Sequence, residues 1–183
     1  NDGGAIYSTF LGDVEVTDSL FSNNMALQGA AVSVTDSTLI SEDNLYIENE
    51  VSGEGGAIAV YEDSVLTSTR DRFWSNQSDD SGGAIVFRNI QGAPSVISNA
   101  QFQDNLSWTY GGAVSSLGDL GGFVLNNSTF VANFAAEDGG DLYLWPDSSP
   151  DGFWVWSNIS TFAYGAEAMF VGDGIQSSFA FNS

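Results

Sequence analysis

The chain has no cysteine, no lysine and no histidine, and its only cations are Arg70, Arg72 and Arg88. Without cysteine there are no disulfides and no thiol chemistry, and the redox compartment stays open. Against three basic residues stand 24 acidic ones, a net charge of −21. A surface of that sign repels phosphate backbones and anionic lipid, which argues against nucleic acid and membrane partners. Charged residues are still only 15% of the 183, and no acidic run exceeds two residues, so the charge reads as solvated surface. No apolar run approaches the roughly 20 residues that span a bilayer, so direct membrane insertion is not expected. Nor is there a sustained 3.6-residue apolar stripe with caps, so little helix is expected.

What the chain has is a repeat. Gly3-Gly4-Ala5-Ile6, Gly55-Gly56-Ala57-Ile58 and Gly82-Gly83-Ala84-Ile85 are identical, and Gly111-Gly112-Ala113-Val114 differs by one methylene. Looser copies start at Gly29, Gly139 and Gly165, and successive first glycines are 26, 26, 27, 29, 28 and 26 residues apart. A fixed period of this size marks a repeat array. In phase with it runs an aromatic followed three residues later by Asn: Phe21 and Asn24, Tyr46 and Asn49, Phe73 and Asn76, Phe102 and Asn105, Phe130 and Asn133. In the sixth copy Phe162 is aligned with the aromatics, and Gly165 stands where Asn is due.

Residues seven and five positions before each aromatic, such as Val14 and Val16, Leu39 and Ser41, Leu66 and Ser68, or Phe123 and Leu125, alternate as on one face of a strand. One strand cluster per repeat, without hairpin turns, favours parallel stacking of successive turns about 4.8 Å apart. The expected fold is therefore all-β: a parallel β-helix, or solenoid, of six to seven coils over residues 1–183, about 30 Å long. The aromatic column is expected to fill its core and the Asn column to form an inward amide ladder, with the Gly pair turning a corner. Length variation is assigned to loops at Glu50–Glu54, Gln77–Ser81, Ile90–Pro94, Ser115–Gly121 and Asp147–Gly152. The chain opens two residues before a repeat and shows no polar caps, so it is expected to be a segment of a longer array without a signal peptide.

Gly-Gly-Ala-Ile paired with Phe-x-x-Asn resembles the repeats of chlamydial polymorphic outer-membrane proteins and related right-handed parallel β-helix surface proteins. Phe21-Ser22-Asn23-Asn24-Met25-Ala26, followed by Gly29-Ala30-Ala31-Val32, is the nearest local likeness. The resemblance runs from Gly3 to about Ala168 and implies a right-handed helix serving as a surface-exposed adhesin-like passenger or stalk.

No catalytic constellation is evident. Polysaccharide-degrading β-helix enzymes would set the precedent, but the nearest candidate is Asp79-Asp80 in a Ser-rich turn, with Arg70 and Arg72 one strand away. Adjacent carboxylates on a turn seldom converge as acid/base work requires. Glu42-Asp43-Asn44, Glu137-Asp138 with Asp141, and Asp147 with Asp151 offer loop oxygens suited to calcium. None has the spacing of a calcium loop, so weak, diffuse calcium association is expected and no cofactor. Asn-x-Ser/Thr sequons occur at Asn76, Asn105, Asn126, Asn127 and Asn158. Asn76 and Asn105 fall in the inward ladder. Asn126 and Asn158 lie four residues before an aromatic, a column otherwise holding Thr17, Glu42, Thr69 and Ser98. In a eukaryotic secretory pathway, Asn126 and Asn158 are the expected glycosylation sites. Trp154 and Trp156 share a strand face and Trp108 and Trp145 lie near loops, a possible sugar- or subunit-binding strip set against plain core filling.

The resulting expectation is a non-catalytic extracellular structural or adhesive module of an adhesin, stalk or appendage filament. Its partners would be neighbouring repeats or subunits, glycans or surface receptors. The alternative is a carbohydrate-binding or polysaccharide-degrading β-helix.

Overall fold

The computed structural model describes residues 2–90, 93–120, 123–145, 154–157, 160–162, 169–171 and 177–178. Among them there is no helix. The first coil contains β1 (Ile6–Thr9), β2 (Asp13–Thr17), β3 (Leu20–Ser22) and β4 (Met25–Ala26), and each founds a sheet that later coils extend. Among the described residues the four sheets hold seven, seven, six and five strands, all paired in parallel. Five coils carry all four strands; Leu142–Trp145, Trp154–Ser157 and Ser160–Phe162 belong to the next turn, and Met169–Val171 and Ser177–Ser178 to the one after. The molecule is a parallel β-solenoid. Its backbone hydrogen bonds run from coil to coil, as in Ala31 N–H to Ala57 O at 2.9 Å and Ile58 N–H to Ala84 O at 2.9 Å.

Each coil needs four sharp bends, and a residue in the left-handed region marks each. Between the first and second sheets the bend falls on Phe10 and Leu11, Asp36 and Glu62, and in the fourth and fifth coils the left-handed residues Asn89 and Gly118 lie near the ends of the first-sheet strands. Between the second and third it falls on Asp18, Asp43, Arg70, Asn99 and Asn127, and between the third and fourth on Asn23, Glu48, Ser75, Asp104 and Ala132. Asp and Asn tolerate positive φ better than other side chains, which explains their frequency here. Only the bend from the fourth sheet back to the first is turned by glycine throughout. There Gly55 has φ 70°, and a Cβ on it would sit 2.4 Å from Ile58 O. At Gly56 the constraint is close approach instead: a Cβ would lie 2.0 Å from Gly83 O of the next coil.

Four of the segments assigned to loops are partly strand, Ile90–Pro94 among them because Ile90 ends the strand Ile85–Ile90. Glu50–Val51 and Gln77–Ser78 extend the β4 sheet, and Ser115 to Leu120 lie inside the strand Val114–Leu120. A two-residue strand has no readable alternation, so composition alone makes it look like loop. The longer strand Val114–Leu120 pairs with Ile85–Ile90 through a register shift between Arg88 and Ile90, where three steps along the later strand match two along the earlier one.

The interior is built from columns. Phe21, Tyr46, Phe73, Phe102 and Phe130 stack face to face, with centroids 4.9, 4.8, 4.8 and 4.7 Å apart and planes within 6°. Strand spacing sets these distances, and each stacked pair adds about 0.5–1.5 kcal/mol beyond its burial. Ile6, Val32, Ile58, Ile85, Val114 and Leu142 form a second column on the inner face of the β1 sheet.

The sixth copy departs from the expected phase. Register pairs Phe130 with Thr161, and Phe162 with Val131. The register is thus one residue off the expected alignment of Phe162 with Phe130. Asn126 pairs with Ser157. Register pairs Trp154 with Phe123 and Trp156 with Leu125.

Candidate functional site

Inside the coil the Asn residues leave no hydrogen-bonding capacity for a ligand. Asn76 Oδ1 accepts from Asn49 N–H at 3.1 Å and from Asn49 Nδ2 at 2.8 Å. Asn76 Nδ2 donates to Tyr46 O at 3.0 Å and to Asn105 Oδ1 at 3.0 Å. The pattern repeats from Asn24 to Asn133, and Asn76 and Asn105 are fully buried. At the end of the ladder, Asn133 Nδ2 donates 3.0 Å to Asp141 Oδ1, a side chain arriving from the Gly-Gly-Ala column of the next coil. Asp141 is therefore buried against the ladder and does not join Glu137 and Asp138 as a loop oxygen ligand. Its Oδ2 has no hydrogen-bond partner, and burial pushes its carboxyl up to about 7 against the opposing effect of the Asn133 bond.

A second ladder, two residues before each aromatic, has no counterpart in the sequence pattern. Asn44 Oδ1 accepts Ser19 N–H at 2.9 Å, Asp71 Oδ1 accepts Asn44 N–H at 2.8 Å, and Ser128 Oγ accepts Ala100 N–H at 3.2 Å. Asp71 is buried, and desolvation raises its carboxyl despite hydrogen bonds from Ser41, Ser68 and Asn44. Glu42 and Asp43, beside Asn44, are both ion-paired to Arg70. Arg70 thus serves a different corner from Asp79 and Asp80. Those two diverge: Asp79 is exposed, while Asp80 Oδ1 accepts from Ser81 Oγ at 3.1 Å and Thr109 Oγ1 at 2.9 Å. Among the described residues no group of three acidic side chains converges as a metal site would require.

Chemistry collects instead on the outer face of the β1 sheet, where the residue before each first glycine meets the sheet. Glu54 occupies this position in the third coil, buried, and ion-paired to Arg88. Tyr61 hydroxyl donates 3.4 Å to the same carboxylate. Burial raises the Glu54 carboxyl, Arg88 opposes that, and nearby Asp80 adds to it. Burial also raises the Tyr61 hydroxyl. The cluster is a neutralised acid–arginine–tyrosine knot.

Two coils further on, the same position is Tyr110. Its ring stacks on Tyr143 with centroids 4.4 Å apart and planes 20° apart, and Trp145 continues from Tyr143 at 6.5 Å and 9°. A hydrogen bond with Glu137, then burial, pushes the Tyr110 hydroxyl up to about 12. Tyr143 is buried, whereas Trp145 keeps 45% of its surface exposed and Trp108 keeps 53%. Register places Tyr61, Arg88, Leu117 and Trp145 in one outward column. Of these residues the sequence reading singled out Trp145 and Trp108. Aligning the outward positions of the β1 strands is the signal that exposes the others.

Asn126 is half-buried at the outward end of Phe123–Asn126, and the exposed neighbour Asn127 donates 2.6 Å to Asn99 Oδ1. Asn158, Asp147, Asp151 and Gly165 lie outside the described residues.

No protein-family model matches the chain, and no solved structure matches it. The metabotropic glutamate receptor-like protein Q of Dictyostelium discoideum is 32% identical to it over 137 residues. That stretch is 73% of this chain and 11% of the relative, so the chain spans a small part of the curated protein it matches.

Proposed function

We propose that this chain is a non-catalytic structural or adhesive module of an extracellular or cell-surface protein. Its coils would stack on neighbouring repeats or subunits, and its corners and outer faces would be offered to glycans or surface receptors. The observation that carries this reading is the filled interior. Rings and amides occupy the core columns from coil to coil, so ligand chemistry is left to the outside. The receptor-like name of the Dictyostelium relative supports a surface setting, as does the likeness of the repeats to those of chlamydial polymorphic outer-membrane proteins. No cofactor is proposed beyond weak calcium association with acidic corners. Nucleic acid is disfavoured by the charge of −21. In a eukaryotic secretory pathway, glycans are proposed at Asn126 and Asn158.

Antibody labelling of intact, unpermeabilised cells producing the natural protein tests the setting; signal that appears only after permeabilisation would overturn it. The non-catalytic half is tested on a panel of polysaccharides. Turnover abolished by Glu54→Gln would instead favour a polysaccharide-degrading β-helix.

A further inference from the structure

We infer that the outer face of the β1 sheet, from Tyr61 to Trp145, binds a neutral oligosaccharide of flat, gluco-configured pyranose rings. This names the ligand class of the adhesive module proposed above and rests on that reading.

The fold does not require aromatics at this place. Before the first glycine of the other copies stand Asp2, Gln28, Glu54, Ser81, Asp138 and Tyr164, so most of them do without an aromatic. In the register column of Tyr143 the preceding coils carry Tyr7, Ser33, Ala59, Val86 and Ser115, so four successive coils do without an aromatic there. Three rings nevertheless come together here, outside the core: Tyr110 over Tyr143 at 4.4 Å, and Trp145 near-parallel to Tyr143 at 9°. Trp145 is 45% exposed, so the cluster is not wholly spent on covering itself. A pyranose with equatorial hydroxyls shows a patch of C–H groups on each face, whose positive edge suits the negative face of an aromatic ring.

Polar groups lie beside the rings. The Glu137 carboxylate is exposed and bonded to the Tyr110 hydroxyl, and a carboxylate accepts sugar hydroxyls in strong charge-assisted bonds. Along the same column Leu117 and then Arg88 follow Trp145 at one rung each, so Arg88 stands about 10 Å from Trp145 along the axis. Two or three sugar units of an extended chain would cover the rings and reach the Arg88–Glu54–Tyr61 knot. Charge selects among sugars. Arg88 is already neutralised by Glu54, and Asp80, Glu137 and Asp138 flank the face. Uronates and sulfated glycans would be repelled.

The test is calorimetric titration of the 183-residue chain with cellohexaose and chitohexaose, with hexagalacturonate as the anionic comparison. One neutral probe should bind saturably in the micromolar to millimolar range. Trp145→Ala and Tyr110→Ala should each weaken it at least tenfold while the thermal midpoint holds, and Trp145→Tyr should restore most of the loss. If Trp145→Ala lowers the midpoint, saturation-transfer NMR on the unaltered chain decides, the expected result being transfer from aromatic ring protons to the sugar. The inference is overturned if neither neutral probe binds, if binding survives both substitutions, or if hexagalacturonate binds more tightly. Any of these would leave surface labelling of intact cells untouched, so the two readings fail separately.

Discussion

The two polar ladders inside the coil make an instructive pair. In the first, every rung from Asn49 to Asn105 uses both ends of an amide, Oδ1 towards the preceding coil and Nδ2 towards the next. In the second, the rung need only accept one backbone N–H, and Asn44, Asp71 and Ser128 all do so. Donor and acceptor together allow one residue type; an acceptor alone allows several. Ala100 shows that the second ladder even survives a rung with no side-chain acceptor.

The largest test of that contrast is Asn76→Asp. The carboxylate keeps the acceptor but cannot donate to Tyr46 O or Asn105 Oδ1, and it is fully buried. A loss of about 4–5 kcal/mol in urea unfolding is expected, from two orphaned acceptors and a buried charge. A loss below 1 kcal/mol would mean that the amide donors are dispensable.

Asp141 ends the same ladder with a carboxylate, and pH exposes it. Its folded value near 7 lies above that of an unfolded aspartate, so the folded state holds the proton more tightly. Stability from this group is complete below about pH 4 and falls by about 1.4 kcal/mol per unit until about pH 7. Asp141→Asn retains an acceptor for Asn133 Nδ2 and removes the titration. The variant should therefore be more stable than the parent at pH 8, by about 3–4 kcal/mol, with little difference at pH 4. Parallel pH profiles for the two proteins would refute this.

Asp71→Asn, the converse exchange in the second ladder, should change stability by less than about 1 kcal/mol at pH 7, because an acceptor for Asn44 N–H remains. Smallest of all, Ala100→Ser would supply an acceptor opposite Asp71 N–H and should stabilise by about 0.5–1 kcal/mol. A loss there would indicate that the core around Ala100 has no room for the hydroxyl.

The same contrast explains what the sequence could and could not disclose. The amide ladder and the aromatic stack demand identity at each rung, so Phe21 to Phe130 and Asn24 to Asn133 are visible as spelling, and with them the parallel coil. The second ladder is degenerate in spelling and escaped notice. The left-handed corners share a conformation across Asp, Asn, Glu, Arg, Ser and Ala, so only the glycine corner announced itself. At Phe162 spelling misled, because a residue can keep its type while the strand slips by one. The outer site was legible only in part, since Glu54, Arg88 and Tyr110 are far apart in sequence and are joined by register alone.

The backbone bonds that pass from one coil to the next also fix how the chain would respond to force. Pulled from its two ends, a solenoid of this kind sheds one coil at a time, because a terminal coil is held on one side only. Each event frees the 26 to 29 residues of one step, or about 90–100 Å of contour. A force–extension trace should therefore be a ruler of the repeat, with its longest tooth at the 29-residue step from Gly82 to Gly111.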